Sequence, residues 1–161
     1  MEQGNETTNW SQSVTGIVIR ENKVLLARHT YGAGKGRLIV PGGYVNVGES
    51  PQEAVMREVM EETGIQVRPK EIIGIRFNQK DWYVAFLAEY ISGDAVSDGM
   101  ENSEVIWMDI EEALGREDVA DLTKKLIECA VSGNYLSQIP YDGTTKYGPY
   151  TFYGAKKCDN N

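Results

Sequence analysis

Apolar and polar residues alternate along Val14–Arg20 and again along Lys23–His29, with Glu21-Asn22 between the two runs. Period-two alternation interrupted by a short polar pair predicts a β-hairpin. Leu38–Val40 is a shorter apolar run leading into Pro41-Gly42-Gly43, where a tight turn with positive φ is expected. Glu71–Phe77 and Trp82–Tyr90 read as a second strand pair joined through Asn78–Asp81. The run Trp82–Ala88 is nearly unbroken in apolar character, which suits a central, buried strand. Ser92–Ser103 is a polar loop, Val105–Met108 a short strand, and Asp109 is placed to N-cap a brief helix over Ile110–Leu114. Val119, Leu122, Leu126, Ile127 and Ala130 recur at helical spacing within Val119–Val131, and Gly133 closes that helix.

A second helical pattern is more strongly marked at its ends. In the stretch Gly43–Ile65, Ser50 suits the N-cap, Pro51 the first helical position, and Glu53 completes a capping box. Gly64 supplies the stop. On such a helix Glu58, Glu61 and Glu62 fall on one narrow stripe. Glu58 and Glu62 then repel by roughly 0.2–0.5 kcal/mol if nothing lies between them. Arg57 is expected to point to one side, leaving no cation on the stripe. A hard divalent ion would relieve the crowding, since carboxylates and phosphate oxygens are its ordinary ligands. Taken alone, three Glu also suit a solvated acidic face.

The whole stretch resembles the Nudix box, G-x5-E-x7-R-E-U-x-E-E-x-G-U with U apolar. Gly43, Glu49, Arg57, Glu58, Val59, Glu61, Glu62, Gly64 and Ile65 fill every fixed position. The flanking pattern extends the resemblance over Val14–Val131. It implies an α/β fold, an α/β/α sandwich with a mixed β-sheet, the box helix on one side and Val119–Val131 on the other. It also implies a pyrophosphohydrolase that uses Mg²⁺ or Mn²⁺ to cleave a nucleoside diphosphate linked to another moiety: a nucleotide sugar, an ADP-ribose-like compound, a dinucleotide or an NTP. The alternative is a non-catalytic Nudix-fold sensor that binds a nucleotide or ADP-ribose; such proteins usually lose box residues.

Carried over residue by residue, Glu58, Glu61 and Glu62 match the family's metal-binding glutamates, with the backbone at Gly43 close by. Glu61, Glu58 and Arg57 are the matched catalytic positions. Glu49 and Arg57 match a pair that braces the loop against the helix; an ordinary surface ion pair is the plainer reading. Family members often add a loop Glu before the last strand, and here Glu101 comes first and Glu104 second, as metal ligand or base. A proline at the place of Asp81 would mark ADP-ribose as substrate, and the SQPWPFP-type run of NADH pyrophosphatases is absent. Tyr83 stands where a tyrosine marks dinucleoside polyphosphates, a position that equally suits strand core.

Arg28, Lys35, Arg37, Tyr83 and Glu104 are candidates for substrate contact, Lys35 and Arg37 lying within the glycine-rich run Tyr31–Arg37. That run lacks the P-loop pattern, so a surface loop is its plainer reading. Tyr31 and Trp82 could stack on a base. His29, the only histidine, reads as structural or solvent-exposed.

At 161 residues the chain suits one domain, divided as a polar tail 1–12, a catalytic domain 13–133 and an aromatic extension 134–161. Its 24 acidic and 16 basic residues leave a formal charge of −8, which argues against nucleic acid as partner and makes local cations necessary for an anionic substrate. Two cysteines make no disulfide framework. With no apolar leader and no membrane span, a cytoplasmic enzyme acting on a small nucleotide derivative is expected. The extension carries Tyr135, Tyr141, Tyr147, Tyr150, Phe152 and Tyr153. It is expected to pack on the body, on a second copy in a homodimer, or over the active-site mouth.

Overall fold

The computed structural model describes residues 11–141 and 150–156; Tyr147 and Cys158 lie outside them. The first strand, β1 (Ser11–Arg20), organises the sheet. Its residues 13–18 are all buried, because apolar layers cover both faces. β2 (Lys23–His29) returns antiparallel to it, and Glu21 and Asn22 take the positive φ values, 50° and 62°, that a tight hairpin needs.

β3 (Leu38–Ile39) pairs β2, and β4 (Gly42–Tyr44) pairs β1. α1 (Pro51–Thr63) follows, then β5 (Gln66–Phe77) and β6 (Asp81–Ser92). β7 (Asn102–Asp109) pairs β2; α2 (Ile110–Gly115) and α3 (Asp121–Ser132) come next. β8 (Leu136–Ile139) and β9 (Phe152–Ala155) are the last elements among the described residues. Strand order is β3-β2-β1-β6-β5-β8-β9. The β1–β6 pair is parallel and the rest antiparallel, so the sheet is mixed. Val14, Val18 and Phe86 pack with Val55 and Val59 of α1; Ile17 and Ala85 pack with Leu126 and Ile127 of α3. The result is the three-layered α/β arrangement expected.

Several local readings change. Neither Gly42 nor Gly43 has a positive φ; both lie in β4. They are glycines because of close approach: a Cβ at Gly42 would stand 2.2 Å from the Val14 carbonyl oxygen. β5 begins at Gln66, well before the apolar run, and absorbs its irregular pattern through register shifts at Pro69/Glu71 and Ile72/Gly74. β6 is central, yet Trp82 at its start is 51% exposed and packs edge-on against Phe77. Ser11 and Gln12, read as tail, belong to β1 and pair with Asp81 and Trp82. The described part of the extension packs on the body. β8 joins the β5 edge at Leu136↔Ile72, Tyr153 lies edge-on to Phe86, and Gln52 of α1 donates to the Tyr153 hydroxyl.

Candidate functional site

α1 is held at both ends by its own sequence. The Glu53 N–H donates to Ser50 Oγ at 3.2 Å, and the Ser50 N–H to Glu53 Oε2 at 2.8 Å. Gly64 takes φ 75° as the left-handed cap. Gly16 lets the helix approach the sheet, since a Cβ there would meet Val55 and Val59 at 3.0 Å. Placed so, the helix sets its three acids at different depths. Glu62 is 3% exposed, Glu58 half-buried, and the Glu61 side chain 60% exposed.

Arg57 does not stand aside from this stripe. Its Nε and Nη2 donate to the two carboxylate oxygens of Glu49 at 2.7 and 3.0 Å, and Nη2 also to the Tyr44 carbonyl at 2.9 Å. Nη1 reaches Glu58 at 2.7 Å and Glu61 at 3.2 Å. A long guanidinium offers five donors, so one side chain can brace the loop and steady two acids. The bond from Arg57, helped by one from the Asn46 N–H, lowers the Glu49 pKa.

Glu62 receives no such help. Its Oε1 accepts a long bond from the Gly42 N–H at 3.4 Å, and its Oε2 is buried without a hydrogen-bond partner among the described residues. Burial first, then the charges of Glu58, Glu101 and Asp98, push its pKa up to about 8. Burial also raises Glu58, against the pull of Arg57. Gly43 completes the cradle: a Cβ there would fall 2.5 Å from the Glu58 carboxyl.

As the side chains stand, with Glu58 and Glu61 turned to Arg57, no three His, Cys, Asp or Glu among the described residues gather closely enough to hold an ion. The donor set nonetheless fits a hard divalent cation. It is all carboxylate oxygen, it includes a buried oxygen with no hydrogen-bond partner, and burial together with the neighbouring carboxylates raises the pKa of Glu62 and Glu58.

The loop before β7 brings Glu101 to this cluster, where its charge acts on Glu62, Glu58 and His29. Glu104 stands elsewhere. It accepts from Arg28 Nε at 2.9 Å, and Arg28 also reaches Asp118 at 3.1 Å and the Gly36 carbonyl at 2.8 Å. This knot ties β2, β7 and the 30–37 loop together, which occupies both side chains in bracing. Lys35 and Arg37 are exposed on that loop. Tyr83 lies on the other face of the sheet. It lines a cleft of about 310 Å³ with Ser13, Thr15, Asp81, Leu122 and Thr123, and Gly42 and Gly43 form part of the same wall.

Other residues stand beside the cluster that the sequence pattern did not assign to it. His29 Nε2 stands 3.9 Å from Glu62 Oε2, and the Tyr31 ring stacks on His29. Thr30, Asp98 and Asn102 fasten the Glu101 loop. The Asp98-Gly99 pair is a turn signal that could have marked that loop as structured.

Residues 10–128 match the NUDIX domain. Over 119 residues the chain is 35% identical to the NAD-capped RNA hydrolase NudC of Escherichia coli O9:H4 (strain HS), covering 70% of this chain and 44% of that protein. It is 41% identical over 63 residues to an ADP-ribose pyrophosphatase of Methanocaldococcus jannaschii, covering 39% of this chain and 37% of the relative. The chain thus spans less than half the length of these curated relatives. Among solved structures, a MutT protein from Methanosarcina mazei Go1 is similar at TM-score 0.62 and 30% identity, covering 75% of this chain and 92% of that one. A NUDIX hydrolase from Nitrosomonas europaea aligns at TM-score 0.71 and 23% identity over 84% and 99%, which shows the shared fold.

Proposed function

The chain belongs to the Nudix family, and from that premise we propose that it is a metal-dependent hydrolase of a nucleoside diphosphate linked to another group. The observation that carries this reading is Glu62. A buried carboxylate oxygen without a partner, among Glu58, Glu61 and Glu101, is a costly feature unless a cation completes it.

Glu58, Glu61, Glu62 and Glu101 would hold Mg²⁺ or Mn²⁺. When bound, such an ion neutralises non-bridging phosphate oxygens and lowers the pKa of water. The chain's own residues supply position. Arg57 orients Glu58 and Glu61 while fastening the Glu49 loop. Gly42 and Gly43 keep the backbone low, so that a diphosphate can reach the acids. Glu101, on its loop beside the cluster, would serve either as a further ligand or as the group that accepts a proton from the attacking water. Lys35 and Arg37, exposed on the 30–37 loop, would be cations for the diphosphate, which the chain's charge of −8 would otherwise repel.

The cleft bounded by Ser13, Asp81, Tyr83 and Thr123 would take the organic part of the substrate. Its wall at Gly42–Gly43 is shared with the acid cluster. The relatives' names direct the test toward ADP-ribose, NAD and NAD-capped RNA, alongside nucleotide sugars, dinucleoside polyphosphates and NTPs. The sensor reading is weaker, because every box position is filled. Hydrolysis of that panel with Mg²⁺ or Mn²⁺, read by identifying the products, tests the proposal. Full activity in Glu61→Gln or Glu62→Gln would overturn the metal-holding roles of those two acids.

A further inference from the structure

The carbonyls in the last turn of a helix have no partner within it and must find one outside. In α1 two of them are satisfied by a single loop. The Thr63 carbonyl accepts from the Val96 N–H at 2.9 Å, and the Glu62 carbonyl accepts from the side-chain Nδ2 of Asn102 at 2.8 Å. The contact is tight: a Cβ on Gly93 would stand 2.3 Å from the Gly64 oxygen. This loop is also the one that carries Glu101.

Asn102 is 1% exposed. Its Oδ1 and Glu62 Oε2 are the two buried side-chain polar atoms, among the described residues, that lack a hydrogen-bond partner. A buried amide ordinarily has both ends satisfied. Here only the donor end is used, and it is spent on the backbone of the most buried acid in the site. The orientation follows from the partner, since a carbonyl can only accept.

The residue beside Asn102 has little freedom of its own. The Glu101 N–H donates to Asp98 Oδ1 at 3.0 Å, and its carbonyl accepts from the Thr30 N–H and Thr30 Oγ1, both at 3.1 Å. The Asn102 N–H reaches the same Asp98 oxygen at 3.2 Å, and its carbonyl accepts from Ser97 Oγ at 2.8 Å. Opposite Asn102 the β2–β7 register shifts between Arg28 and His29, an irregularity of the kind that re-aims a side chain. Asn102 and Glu101, adjacent in the chain, share the one Asp98 oxygen, so a displacement of Asn102 is passed to Glu101.

We propose that Asn102 is a positioning residue: its side-chain amide sets where Glu101 stands relative to Glu62 by tying the Glu101 loop to the end of α1. The role rests on the hydrolase reading, in which both acids serve the reaction. It differs from a general folding role in being local.

The test compares Asn102→Ala and the isosteric Asn102→Asp, which turns a carboxylate toward the Glu62 carbonyl. Mn²⁺ binding to the free protein, followed by electron paramagnetic resonance, should weaken roughly 10- to 100-fold, as is usual when a group that orients metal ligands is removed. The kcat should fall by a similar factor while KM for the substrate stays put. Amide exchange at Glu101 should accelerate while that of Leu25, in the core, does not. Wild-type Mn²⁺ affinity and kcat in both variants would overturn the proposal, and so would Leu25 exchange rising in step with Glu101. Should neither variant fold, Ser97→Ala releases the Asn102 carbonyl and is expected to act in the same direction; unchanged kcat and Mn²⁺ affinity there overturn it. A wild-type chain that binds no Mn²⁺ and cleaves nothing in the panel sinks the hydrolase reading and the positioning role with it, while the exchange result still decides whether the latch exists.

Discussion

Arg57 grips Glu49 with two parallel hydrogen bonds, Nε to Oε1 at 2.7 Å and Nη2 to Oε2 at 3.0 Å, while its third nitrogen holds Glu58. A lysine cannot reproduce that geometry, because its ammonium is a single point. Arg57→Lys should keep the charge and the fold yet lower turnover roughly 10- to 100-fold, through loss of orientation at Glu58. Steady-state kinetics beside circular dichroism would show it; wild-type turnover would count against a bracing role.

Adjacent glycines should fail in different ways. A Cβ at Gly42 meets backbone, 2.2 Å from the Val14 oxygen and 2.8 Å from Thr15 Cα. Backbone cannot rotate aside, so Gly42→Ala should cost about 3 kcal/mol or more, the upper end of ordinary overpacking. A Cβ at Gly43 meets the Glu58 carboxyl at 2.5 Å, a group that can swing away. Gly43→Ala should therefore shift stability by about 1 kcal/mol or less and still depress activity. Urea denaturation paired with kinetics separates the two outcomes.

Glu62 stabilises nothing in the metal-free protein by its charge. Glu62→Gln keeps an acceptor for the Gly42 N–H and removes a carboxyl whose pKa burial pushes up to about 8, so that folding at neutral pH no longer has to protonate a group the unfolded chain leaves ionised. Its metal-free form should be more stable than wild type by roughly 1–3 kcal/mol. Mn²⁺ at a hundred times its Kd should stabilise wild type by about 2.7 kcal/mol and the variant far less. Thermal melts with and without the ion test both halves, and a lower melting temperature for the metal-free variant would contradict the account.

Tyr83 makes stability sensitive to alkali. Burial pushes its hydroxyl up to about 12, although a bond with Thr15 and the nearby Arg76 pull the other way. In the unfolded chain the same group titrates near 10. The unfolded state thus loses its proton first as pH rises. Stability that is complete below about 10 is lost between about 10 and 12, at up to roughly 1.4 kcal/mol per pH unit. Tyr83→Phe should flatten that part of the profile, measured by denaturation at pH about 9 and about 11.

Much of the fold was legible because it depends on neighbours in the chain. The hairpin at Glu21-Asn22, the capping box at Ser50 and Glu53, and the stops at Gly64 and Gly133 are short-range effects, and each stands where the pattern put it. Arg57 was misread because its reach is set by a flexible side chain and not by its helical angle. The pair Gly42-Gly43 suggested a turn, whereas the real constraint comes from Val14 and Glu58, far away in sequence. The partners of Arg28 and Glu104 were hidden for the same reason, each being supplied by another strand.

The sequence by itself determined which acids share a face of α1, through helical period and caps, and which family the spacing resembles. It could not say that Glu61 and Glu62, adjacent in the chain, would differ so sharply in exposure, nor that Asn102 would close the end of the helix. Those outcomes belong to the tertiary structure, because burial and desolvation depend on what packs across from a residue and not on what precedes or follows it.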